Sequence, residues 1–97
     1  MSRYVSLLNW TDQGVQRSKE TVDRAEAAKD LAEKMGGSLE SIYWTLGAYD
    51  LVVTSEFADD ESATAFALAL CSQGNVRSTT MRAFNADETR GILDKVG

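Results

Sequence analysis

The stretch that decides the fold is Leu39-Glu40-Ser41-Ile42-Tyr43-Trp44-Thr45-Leu46-Gly47-Ala48-Tyr49-Asp50-Leu51-Val52-Val53-Thr54-Ser55-Glu56-Phe57. Two runs rich in β-branched and aromatic side chains, Leu39 to Leu46 and Tyr49 to Phe57, flank Gly47-Ala48. That pattern predicts a hairpin, and a two-residue link with glycine first suits a type II′ turn. In that register Leu46 faces Tyr49, Trp44 faces Leu51 and Ile42 faces Val53, all on one apolar side. The other side carries Leu39, Ser41, Tyr43 and Thr45 opposite Asp50, Val52, Thr54 and Glu56.

Each flank of the hairpin adds one strand and one helix. Upstream, Arg3 to Trp10 reads as a strand that stops at Thr11-Asp12-Gln13-Gly14. From Thr21, apolar positions at Val22, Ala25, Ala28, Ala32 and Met35 recur at helical spacing, with Thr21 as N-cap and Gly36-Gly37 as terminator. Downstream, Asp59 caps a second helix, Asp60 to about Gln73, with Asp60 and Glu61 favoured by the dipole at its start. Its Ala-Phe-Ala-Leu-Ala-Leu run is apolar nearly all round, which predicts burial on more than one side. Val76 to Phe84 is a fourth strand. Asn85 with Glu88 then forms a capping box for a terminal helix, Ala86 to Val96.

The order β-α-β-β-α-β predicts an α+β, ferredoxin-like sandwich with a short C-terminal helix, strand order 4-1-3-2 and two helices over one sheet face. With the first, second and fourth strands read as running one way, Trp10, Leu46, Tyr49-Asp50 and Arg82 to Phe84 meet at one edge. Side-chain alternation puts Val5, Leu7, Met81 and Ala83 under the helices. Tyr4, Ser6, Leu8, Trp10, Ser78, Thr80, Arg82 and Phe84 then fall on the uncovered face.

Composition narrows the function. Ninety-seven residues predict one domain, residues 1–97. Ten basic against fifteen acidic side chains, a net charge of −5, argue against nucleic acid. The absence of histidine removes the usual acid–base group and the commonest metal ligand, and a single cysteine, Cys71, excludes an internal disulfide and multi-cysteine metal sites. No cofactor or metal is expected. No signal peptide or membrane span is read, and with one unpaired cysteine a cytoplasmic location is expected.

Three segments carry a resemblance: Asn9-Trp10-Thr11-Asp12-Gln13-Gly14, Tyr43-Trp44-Thr45-Leu46-Gly47-Ala48-Tyr49-Asp50 and Ser72-Gln73-Gly74-Asn75-Val76-Arg77. Together they resemble the GYD domain family, named for a Gly-x-Tyr-Asp segment that is here Gly47-Ala48-Tyr49-Asp50. The resemblance spans essentially the whole chain. It implies a ferredoxin-like fold related in shape to the dimeric α+β barrels, and it implies no activity or catalytic residue.

The expected function is therefore a homo-oligomeric binding module for a small molecule or effector. Its pocket is expected on the uncovered face between paired subunits, lined by Trp10, Tyr43, Thr45, Tyr49, Asp50 and Arg82. A carboxylate among aromatics can act as acid or base, so the alternative is a cofactor-independent enzyme with Asp50 as proton shuttle. Against catalysis stands an aspartate that accepts turn hydrogen bonds or pairs with Arg82. A third alternative is an assembly subunit without a pocket. The last helix would remove the need for a second copy if it folded over the open face. Arg77 is expected at the far end, pairing with Glu56, and Cys71 as buried packing.

Overall fold

A computed structural model describes residues 1–97. Strands β1 (Ser2–Trp10), β2 (Ser38–Trp44), β3 (Leu51–Phe57) and β4 (Val76–Ala83) form one sheet in the order β2-β3-β1-β4. Helices α2 (Thr21–Lys34) and α3 (Asp60–Cys71) lie on one face, and α4 (Ala86–Asp94) ends the chain. The α+β ferredoxin-like architecture and its strand order are those expected.

The hairpin register is also as expected. Trp44 pairs with Leu51, Ile42 with Val53 and Tyr43 with Val52. Pairing stops there rather than running on to Leu46 and Tyr49. Thr45 N–H donates to the Asp50 carbonyl at 2.8 Å, leaving Leu46 to Tyr49 as a four-residue loop. Gly47 takes φ +127 within it, a conformation that costs glycine little, and Leu46 is fully exposed rather than packed inside.

One local irregularity redirects a side chain. The β2–β3 register shifts between Leu39 and Ser41, so Glu40 is an extra residue and Leu39 pairs with Ser55. Leu39 therefore packs against the core instead of facing outward, as a bulge requires in a lattice of strict alternation.

Two further expectations are corrected. The face of β1 under the helices carries Tyr4, Ser6, Leu8 and Trp10, with Tyr4 and Leu8 buried. Val5 and Leu7 are on the open side. Strand β4 runs antiparallel to β1, with Tyr4 opposite Arg82 and Trp10 opposite Val76. Its register against β1 puts Ser78, Thr80 and Arg82 on the helix side, opposite Leu8, Ser6 and Tyr4, and Met81 on the open side, opposite Val5. The direction of β4 follows from the β3–α3–β4 crossover around β1, which makes β4 run parallel to β3.

The core forms where helices meet sheet. Tyr4, Ala28, Ala32, Phe57, Ala63 and Phe66 make one buried cluster, and Leu8, Leu51 and Val53 a second. Phe57 and Phe66 pack with ring centroids 5.2 Å apart, within the range for favourable aromatic contact. Gly37 sits against Phe57 so closely that a Cβ would lie 2.3 Å from its ring. Helix α3 is less enclosed than its composition predicts, since Leu68 points outward at 68% exposure.

The caps are local and legible. Asp59 accepts from Ser62 N–H at 2.8 Å, and Asn85 and Glu88 exchange both bonds of a capping box. Thr21, by contrast, caps nothing. Its hydroxyl accepts from the Trp44 indole at 3.0 Å, and the residue at the cap position is Glu20. The Thr11-to-Gly14 segment is a short helix, α1 (Asp12–Gln16), followed by a 3₁₀ turn at Ser18–Glu20. No helix is long and apolar enough to cross a membrane.

Candidate functional site

The three segments that carry the resemblance meet at one end of the sheet, around the close of β1 and the start of β4. Thr11 organises the junction. Its hydroxyl accepts from Gly14 N–H, capping α1, and donates to the Gly74 carbonyl, while its own N–H donates to the Asn75 carbonyl at 3.0 Å. Gln13 Nε2 donates to the Gln73 carbonyl at 3.1 Å and to Asn75 Oδ1 at 2.9 Å. Gly14 lies so near Asn75 that a Cβ would fall 2.1 Å from its carbonyl oxygen. Gly74 takes φ +86 beneath Gln13. These polar residues thus lock α1 onto the start of β4, and no buried polar side-chain atom is left unpaired.

Asp50 belongs to the same junction in a structural capacity. Its Oδ2 accepts from Trp10 N–H at 2.9 Å, and its own N–H donates to the Leu8 carbonyl at 2.8 Å. The β2–β3 loop is thereby stitched to the end of β1. Thr45 and Tyr49 serve the loop itself, the Thr45 hydroxyl donating to the Tyr49 carbonyl at 2.6 Å. The carboxylate thus accepts a backbone bond from a distant strand end, rather than from its own turn or from Arg82.

The six expected site residues do not share a surface. Tyr43 stands on the open sheet face at 66% exposure, whereas Trp10 is half-buried beneath the helices. Arg82 is opposite Tyr4, six residues back along β1 from Trp10, about 20 Å away. It lies over the Phe84 ring at 4.5 Å and the Tyr4 ring at 5.8 Å, and pairs with Glu88 at 3.6 Å. It therefore has no contact with Asp50. Arg77 is the basic residue at the Asp50 end, opposite Asn9, and Glu56 pairs instead with Arg3 at 3.9 Å.

A different space is better formed. Between α2, α3 and the sheet lies a cavity of about 80 Å³, room for two or three waters at ~30 Å³ each. Leu8, Leu51, Val53 and Phe57 form its floor, while Ala25 and Ala28 of α2 face Ala63, Phe66 and Ala67 of α3 as walls. Alanine explains the gap. Alanines on both helices bring little side-chain volume over the sheet here, and protein interiors rarely leave so much apolar space unfilled. Trp10, Thr21, Arg24, Gln73 and Asn75 close the end next to the junction, and Ser6, Ser78 and Thr80 line the side under α3. The hydroxyls of Ser6 and Ser78 each bond that of Thr80, at 2.9 and 2.6 Å.

The alanine stripe was visible in the sequence as helix periodicity, but a stripe of small residues reads as tight packing as readily as a cleft. In the sequence Arg24 reads as a wet-side charge and, with Lys19 behind the Asp12-Gln13-Gly14 loop, as a residue able to hold an anion or close over a pocket.

Charge in the rest of the molecule is peripheral. Burial, with the Asp60 carboxylate accepting the phenol proton at 2.6 Å, raises the Tyr4 pKa. Bonds from backbone N–H groups lower those of Asp59 and Glu88. No three cysteine or carboxylate side chains gather where they could hold a metal ion.

Comparison with known proteins fits this architecture. A crystal structure of TTHA0845 from Thermus thermophilus superposes with a TM-score of 0.58 at 22% identity, over 89% of this chain and 96% of that one. At that identity the likeness establishes the fold alone. No curated protein matches the sequence. The GYD domain model matches residues 4–93, nearly the full length, with Asp50 and the Gly14–Asn75 junction inside the match. The chain belongs to the GYD domain family.

Proposed function

We propose that this protein is a small-molecule-binding module whose site is the cavity between α2, α3 and the sheet, and that it works as a homodimer joined through the open sheet face. The observation that carries the first part is the apolar cavity itself, walled by alanines and closed at one end by Trp10, Arg24 and Gln73. The site thus lies on the opposite side of the sheet from the one alternation suggested. Asp50 takes no part in it, and the enzymatic alternative has no observation in its favour.

The second part rests on the uncovered face. Val5, Leu7 and Val52 lie half-buried there, and Tyr43 and Met81 project at 66% and 43% exposure. Helix α4 does not fold over them, and its own Ile92, Leu93 and Val96 stay exposed. Four strands spaced ~4.8 Å apart and about eight residues long present roughly 500 Å². Two such faces bury about 1,000 Å², the lower bound for a specific interface, so a second copy is an occupant of sufficient size.

Native mass spectrometry of the protein purified from its own host tests both parts. The expected result is a dimer carrying an additional small mass. Ala67→Phe, which fills the cavity, should lose that mass and remain dimeric. Val52→Lys with Met81→Lys should give monomers that keep it. A monomer without bound mass overturns both parts.

A further inference from the structure

The cavity has an electrostatic peculiarity that points to the chemistry of its ligand. Of the side chains that line it, one alone is charged, Arg24 in the first turn of α2, and no carboxylate is among them. Arg24 is half-buried, and its bonds go to two backbone carbonyls, Arg17 at 2.6 Å and Gly14 at 3.3 Å. No carboxylate lies within 4.0 Å of it. The nearest acidic candidate, Glu20, is held by Arg17 through two bonds of 2.8 and 3.1 Å.

A guanidinium has five N–H donors, and carbonyls neutralise none of its charge. A half-buried cation at the end of an apolar space, with no ion pair and only the field of a Glu20 that Arg17 already holds, fits a ligand that brings a full counter-ion. The start of α2 adds the positive end of a helix dipole on the same side. A single cation in a chain of net charge −5 matches a single negative charge; a phosphate dianion would call for more.

Resting on the cavity being the binding site, we infer that the ligand is a small apolar monocarboxylate, with its carboxylate on the Arg24 guanidinium and its aromatic or branched body over Leu8, Leu51 and Phe66. The space is partly open to solvent, so the ligand need not be wholly enclosed within it. Arg24 is then the residue that selects acid over neutral molecule, and Trp10 is placed to report its arrival.

Phenylacetate and the isosteric phenylacetamide are the probes, titrated against the full chain at pH 7 and followed by Trp10 fluorescence in a Trp44→Phe background. Phenylacetate should bind below about 1 mM and at least tenfold more tightly than the amide. Arg24→Gln should remove that tenfold preference while leaving amide binding unchanged, which also shows that the cavity has survived the substitution. Arg24→Lys should retain part of the preference, since it keeps the charge but not the planar fork. Equal binding of the two probes, or an unchanged preference in Arg24→Gln, overturns the carboxylate assignment and leaves the cavity reading standing. Binding of neither probe overturns both.

Discussion

The Asp50 carboxylate accepts the backbone N–H of Trp10 at 2.9 Å, so the residue that looked most like a catalytic acid closes the seam between the β2–β3 loop and β1. Asp50→Ala leaves that N–H without its partner and should destabilise the fold by about 1–2 kcal/mol. Asp50→Asn keeps an acceptor oxygen and should cost less than half as much. Urea unfolding at neutral pH measures both, and the slope with denaturant should not change.

Gly14 should tolerate no side chain. A Cβ there would meet the Asn75 carbonyl oxygen at 2.1 Å, backbone against backbone, and α1 would have to lift from β4. Gly14→Ala should lower stability by about 3 kcal/mol. Gly91→Ala, in open space within α4, should instead add helix content by circular dichroism without lowering the unfolding midpoint.

Phe66 joins α3 to Phe57 and borders the cavity. Phe66→Ala should cost about 3–4 kcal/mol in denaturant unfolding, because the space it leaves merges with the cavity it borders.

Stability should fall at both extremes of pH, for opposite reasons. Asp59 and Glu88 have pKa values lowered by backbone N–H donors, so the unfolded chain binds their protons more readily. Their contribution is present above the usual carboxylate range near pH ~4 and is lost as pH falls below it. Tyr4 has its pKa raised, first by burial and then by Asp60, so its contribution holds below the free phenol value near pH ~10 and is lost above it. Tyr4→Phe should flatten the alkaline limb in thermal melts across pH 8–11, and Asp59→Ala part of the acid limb across pH 3–6.

What the sequence determined by itself was most of what rests on neighbours along the chain. The Trp44–Leu51 register, the Asp59 and Asn85 caps and the stop after α2 at Gly36, φ +85, follow from local turn and cap chemistry. Only tertiary structure decided which side of β1 faces the helices. Tyr4-Val5-Ser6-Leu7-Leu8 is apolar in both parities, so alternation offers no preference until α2 and α3 choose a face. On β4 the pattern misdirected, because Ser78 and Thr80 border a cavity rather than a packed core and so look like outward residues. The Glu40 bulge and the docking of Gln13 on Asn75 depend on partners tens of residues away, and a local pattern carries no record of them. The same holds for the cavity: its helix walls are mostly ordinary alanines, and only the packing of α2 and α3 over the sheet brings them round one space.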